Sequence, residues 1–149
     1  MHGFHQGFPV VDDLIKTKSP DVFLLQELWL TPANLYLFDN NFVDNFSYFG
    51  CSAMSNRVET SMLRGRPFGG ASLLINKRLR SITQTIHCDE RYAIVKVGNT
   101  LLVNVYFSCQ GTHDIVTLCE ELLTQISSWC EQYNIMTAIL YLLVISIVT

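Results

Sequence analysis

The spacing of apolar and polar positions changes period several times along this chain, and each change predicts an element. Val22-Phe23-Leu24-Leu25 is an unbroken apolar run behind the turn signal Ser19-Pro20, the pattern of a short buried strand over 21–27. Before it, Val10, Val11, Leu14 and Ile15 share one side of a helix over Pro9–Lys18, with Pro at its start and Lys16 and Lys18 near its end. Thr31-Pro32 opens a brief second helix that turns out at Asn40-Asn41. Aromatic-rich 46–54, apolar 70–76, weakly alternating 82–88, and then 91–98 and 100–107 read as further strands. Gly98-Asn99 joins the last two as a two-residue hairpin turn where positive φ is cheap. From about 113 to 133 the period becomes helical, because Leu118, Leu122, Ile126 and Trp129 recur three or four apart.

Strands interleaved with helices predict an α/β fold, with one mixed sheet and the 113–133 helix on its outer face. Residues 1–134 then make one partial domain, and Ile135 to Thr149 stands apart as a divergent tail of fifteen uncharged residues. A membrane span needs about 18 or more apolar residues and flanking charge. The tail is short of that, and its β-branched content points to a buried strand instead.

At 149 residues and 49% apolar, with only 15% charged, the chain can bury a sizeable core, and disorder is excluded. Five cysteines without CxxC or Cys/His zinc spacing predict reduced, buried thiols. Met1-His2-Gly3-Phe4 has neither a basic start nor an apolar run, so no signal peptide is expected and a nuclear or cytoplasmic location is. The net charge of −3 argues against a generally basic nucleic-acid binder. Six of the ten basic residues nevertheless fall between Arg57 and Arg80, and Arg64, Arg66 and Arg78 are the candidates for phosphate contact. A solvated arginine-rich loop explains the same cluster.

Glu27 closes the first predicted strand, where ligands of α/β sheets gather. A bare carboxylate there suits a hard cation such as Mg²⁺, which takes one or two carboxylates and leaves its other positions to water and phosphate. The start of a solvated loop is the simpler reading from spacing alone.

Three pieces in order carry a resemblance: Pro20-Asp-Val-Phe-Leu-Leu-Gln-Glu27, Gly69-Gly70-Ala71-Ser72-Leu73-Leu74-Ile75 and Asn104-Val105-Tyr106. They resemble the metal-ligand, Gly-Gly and Asn-x-Tyr motifs of the endonuclease/exonuclease/phosphatase superfamily. Order and spacing over residues 3–134 are similar to the endonuclease domain of non-LTR retrotransposons. The resemblance implies an incomplete α/β/β/α sandwich and Mg²⁺-assisted phosphodiester hydrolysis on DNA. It makes Glu27 the metal ligand and Tyr106 and Asn104 the catalytic candidates.

Several parts of the family pattern do not match. Gly3 looks like the end of the family's first strand, and its Asn would fall just before Met1. Leu28 follows the Glu where the family often has a polar residue, and Ser108 stands where a Pro is common. No Gly, Asp or Asn follows Asn134 to make Gly-Asp-x-Asn, no Asp-His pair ends the chain, and no histidine lies beyond His113. The tail therefore implies a changed reading frame or an alternative end. The expectation is weak Mg²⁺ and DNA binding with little or no activity, the alternatives being a non-catalytic binding module or a tail-inserted membrane protein.

Overall fold

A computed structural model describes residues 3–60, 67, 69–108 and 115–145. Its elements run α1 (Phe4–Lys18), β1 (Val22–Gln26), α2 (Tyr36–Phe42), β2 (Phe46–Cys51), α3 (Ser55–Thr60), β3 (Ala71–Asn76), β4 (Thr83–Cys88), β5 (Tyr92–Val97), β6 (Thr100–Ser108), α4 (Ile115–Gln132) and β7 (Thr137–Ile145). Two turns of 3-10 helix, at Pro32–Asn34 and Lys77–Ile82, lead into α2 and β4.

The strands form two sheets, where the sequence pattern predicted one. β1, β3 and β2 pair antiparallel in the order β1-β3-β2, and β4-β5-β6-β7 make the second sheet. The separation falls at Lys77–Ile82, where the 3-10 turn swings the chain away from β3 before β4 begins. β3 is buried on both faces, so its sequence carries no alternation that could tell a paired neighbour from a stacked one.

Three apolar clusters define the layers. Phe4 and Val11 of α1 and Phe38 and Phe42 of α2 pack on Leu25, Phe46 and Leu74, the outer face of the first sheet. Ala71, Leu73 and Ile75 meet Ala93, Val95, Leu102 and Tyr106 between the sheets. Ile94, Leu101, Val103 and Val105 face Leu122 and Ile126 of α4. The chain is thus a helix–sheet–sheet–helix sandwich. Burying both faces of each sheet removes large apolar areas from water at about 25 cal/mol per Å², the main force holding the layers together.

Gly98-Asn99 does join β5 to β6, with Gly98 at φ 57 and Val97 paired to Thr100. α4 covers the second sheet as its period predicts. Two local expectations change. Gly3 and Phe4 do not end a strand: α1 begins at Phe4, five residues before Pro9, and Pro9 sits inside it. An interior Pro normally costs a helix about 3 kcal/mol. Here Phe4 is 3% exposed with its ring against Phe38 and Phe42, at centroid distances of 4.9 and 6.2 Å, and that burial extends the helix. Residues 55–60, for which the pattern predicted neither helix nor strand, form α3.

Within the tail, Thr137–Ile145 folds as one strand. β7 runs parallel to β6, from Thr100↔Thr137 to Ser108↔Ile145, at the edge of the second sheet. Thr137, Ala138 and Ile139 are exposed at its start, which corrects the expectation of burial there. Among the described residues no helix is long and apolar enough to cross a membrane.

Candidate functional site

β1 and β3 are antiparallel, so the end of β1 meets the start of β3, and Gln26 pairs with Ala71. Glu27 and the two glycines therefore meet by topology alone. Beyond Gln26 the backbone enters the left-handed region twice, at Glu27 (φ 59) and Trp29 (φ 56). Such conformations cost about 1–3 kcal/mol each for non-glycine residues and persist only where the surroundings impose them.

Five backbone hydrogen bonds impose them here. The N–H groups of Glu27, Leu28 and Trp29 donate to the carbonyls of Gly70 (3.1 Å), Gly69 (2.9 Å) and Gly69 (3.1 Å). From the other side, the N–H groups of Gly3 and Phe4 donate to the carbonyls of Glu27 and Leu28, both at 2.8 Å. α1, β1 and β3 are thereby fastened around one carboxylate.

Glu27 is 8% exposed, and one carboxylate oxygen, Oε2, accepts a hydrogen bond from the Trp29 indole N–H. The indole holds the side chain in one orientation. Trp29 also borders a cavity of about 280 Å³ whose lining includes Gly3, His5, Gln6, Asn34 and Pro67. The motifs in the sequence did not single out Trp29. Its signal was weak but present, a large donor-bearing side chain two residues after the candidate ligand.

Tyr106 reaches the same end from the second sheet. A Cβ on Gly69 would stand 2.7 Å from Cε1 of Tyr106, so the absence of a side chain is what lets the ring lie on this backbone. Gly69 also has φ 64, and Gly70 has φ 96. The paired glycines thus serve both a turn and a close approach.

Asn104 is fully buried two residues before Tyr106, on the same face of β6. Its Nδ2 donates to the carbonyls of Leu25 (2.9 Å) and Ser72 (2.8 Å), and its Oδ1 accepts from Gln26 Nε2 (2.7 Å). Gln26 Nε2 also donates to the Val105 carbonyl at 2.8 Å. These bonds cross the gap between the sheets and fix where the end of β6 stands against β1 and β3. Asn104 is a positioning residue in this arrangement.

Glu27, Gly69, Gly70, Asn104 and Tyr106 are thus brought together at one end of the sandwich. Arg78 is not among them. It lies beyond the opposite end of β3, whose five residue steps span roughly 17 Å at about 3.4 Å each, and it pairs with Asp21 ahead of β1. Arg64 and Arg66 lie outside the described residues.

No family model and no curated protein matches this sequence. The site is therefore judged on its own chemistry. Among the described residues no three His, Cys, Asp or Glu side chains gather as a metal cluster. Glu27 offers one carboxylate, with one oxygen engaged by Trp29. That donor set fits a Mg²⁺ ion held through a single carboxylate oxygen, with water and phosphate completing its shell.

Proposed function

We propose that this chain is a scaffold of the endonuclease/exonuclease/phosphatase type, descended from a retrotransposon endonuclease domain, that engages a DNA phosphodiester weakly at its Glu27 end and hydrolyses it poorly or not at all. The observation that carries this is the convergence of Glu27, the Gly69-Gly70 turn and Tyr106 at one end of a two-sheet sandwich, from three separate stretches of chain. The helix–sheet–sheet–helix layering supports it as well.

In this proposal Glu27 would hold Mg²⁺, which when bound supplies positive charge to stabilise the phosphoryl and leaving oxygens. Trp29 orients the carboxylate, Asn104 and Gln26 hold the two sheet ends in register, and Tyr106 faces the phosphate from the opposite sheet. The parts of the family pattern that would deprotonate water, Gly-Asp-x-Asn and the Asp-His pair, have no counterpart in this sequence. No carboxylate follows Glu131 and no histidine follows His113. A positioned general base is worth about 10²–10⁴-fold, so its loss leaves electrostatic assistance only.

The test is nicking of supercoiled plasmid by the purified chain with Mg²⁺ or Mn²⁺, with Glu27→Ala as the control for contaminating nuclease. The expected result is a slow rate that both proteins share. Robust nicking that disappears in Glu27→Ala would overturn the proposal of weak activity. Calorimetry with Mg²⁺ tests the ligand assignment: weak binding lost in Glu27→Gln supports it, and binding unchanged by the substitution refutes it.

A further inference from the structure

The site end of the sandwich contains a second cross-sheet contact that the phosphodiester proposal does not use. In the first sheet, Gln26, Ala71 and Cys51 lie side by side across β1, β3 and β2. In the second, Asn104, Ala93 and Cys88 lie side by side across β6, β5 and β4. The two rows of three face each other. Gln26 meets Asn104 at one end of the rows, and Cys51 meets Cys88 at the other, Sγ to Sγ 2.8 Å. Between them stand Ala71 and Ala93, which are 0% and 1% exposed and small enough for the sheets to approach closely.

We propose that Cys51 and Cys88 form a reversible thiol–disulfide pair that fastens the two sheets together at the level of the Gln26–Asn104 tie. Both thiols are half-buried, neither is in a disulfide, and each is the last residue of its strand. Closing to a sulfur–sulfur bond of about 2.05 Å takes less than about 1 Å of movement, so no rearrangement of either sheet is needed. The hydrogen bond between the two thiols draws the Cys51 pKa down to about 7, against the opposing cost of burial. In this proposal Cys51 attacks and Cys88 resolves, the order that the Cys88→Ser variant tests.

The oxidant is a small-molecule disulfide such as oxidised glutathione. The Cys51 thiolate attacks one of its sulfurs, expels one glutathione thiolate and becomes a mixed disulfide. Cys88 then loses its proton and attacks the Cys51 sulfur, which forms the Cys51–Cys88 bond and releases the second glutathione. Two protein thiols are oxidised, and one small disulfide is reduced to two thiols.

Neither step involves Glu27 or a metal, so the test stands apart from the phosphodiester proposal. Folded full-length chain is incubated with oxidised glutathione, quenched with N-ethylmaleimide, digested with trypsin and mapped without reduction. The expected product joins the peptide ending at Arg57 to the peptide ending at Arg91, with Cys109, Cys119 and Cys130 alkylated. The Cys88→Ser variant should instead retain one glutathione on Cys51, since nothing resolves it. Cross-linking across 37 residues should raise Tm by about 10 °C, reversed by dithiothreitol. Recovery of both peptides alkylated, or glutathione gathered on Cys109, Cys119 or Cys130 instead, would overturn the proposal. So would a cross-link without a rise in Tm, because the bond would then not fasten the sheets.

Discussion

Asn104→Ala removes the side chain that ties the two sheets at the candidate site. The lost interactions are two donations, to the Leu25 and Ser72 carbonyls, and one acceptance, from Gln26 Nε2. Gln26 keeps its bond to the Val105 carbonyl, so it is not stranded. At about 1 kcal/mol for each buried hydrogen bond, the three together amount to about 3 kcal/mol. A small cavity adds to this, because Asn104 is completely buried. Equilibrium unfolding in urea reads the loss directly. With a slope of about 2 kcal/mol per M, the midpoint should fall by about 1.5 M with the slope unchanged. Pairing the substitution with Gln26→Ala should show a coupling of about 1 kcal/mol, since the two amides share one bond. Asn104→Asp should be worse than Asn104→Ala at neutral pH, because a carboxylate would face two carbonyl oxygens. Relative to wild type it should recover as pH falls and that carboxylate protonates. A stability loss under about 1 kcal/mol, or strict additivity with Gln26→Ala, would refute the idea that this amide ties the sheets.

Other substitutions probe the same end of the fold. Gly69→Ala places a Cβ against the Tyr106 ring at a residue with φ 64, and should lower Tm by roughly 5 °C in a scanning calorimeter; an unchanged Tm would show that the ring moves freely. Trp29→Phe leaves the Glu27 carboxylate without its indole donor and should cost about 1.5–3 kcal/mol, much of it recovered by adding Glu27→Gln; the same loss in both backgrounds would show that packing, not the hydrogen bond, was at stake. Arg78→Ala removes a cation at the far end of β3 and should leave Mg²⁺ and phosphodiester binding unchanged, so weaker binding would place the contact face elsewhere. The Cys51 thiol, drawn below its ordinary pKa, should react with iodoacetamide at a rate that rises through about pH 7; a rise only near pH 9 would show that Cys88 does not assist it.

The sequence by itself determined the local elements, because each depends on neighbours a few residues apart. Gly98-Asn99 predicts its hairpin because a two-residue turn between apolar strands needs positive φ. The stripe of Leu118, Leu122, Ile126 and Trp129 predicts α4 because only a helix puts that spacing on one side. Glu27, Tyr106 and Asn104 stood out for a related reason: polar groups at the ends of apolar strands are conspicuous in one dimension. Tertiary structure decided what those elements do to one another. Sheet membership could not be read from β3, whose two faces are equally buried, one against helices and one against the second sheet. Phe4 became helical, and Pro9 interior to a helix, because rings from α2 bury Phe4, and those rings are distant in sequence. The strained backbone at Glu27 and Trp29 exists only because Gly69, Gly70 and Gly3 supply partners from elsewhere in the chain. The roles of Asn104 and of the Cys51–Cys88 contact depend on two rows of residues lying face to face. That register belongs to the packing of one sheet on another, and no periodicity within a single strand encodes it.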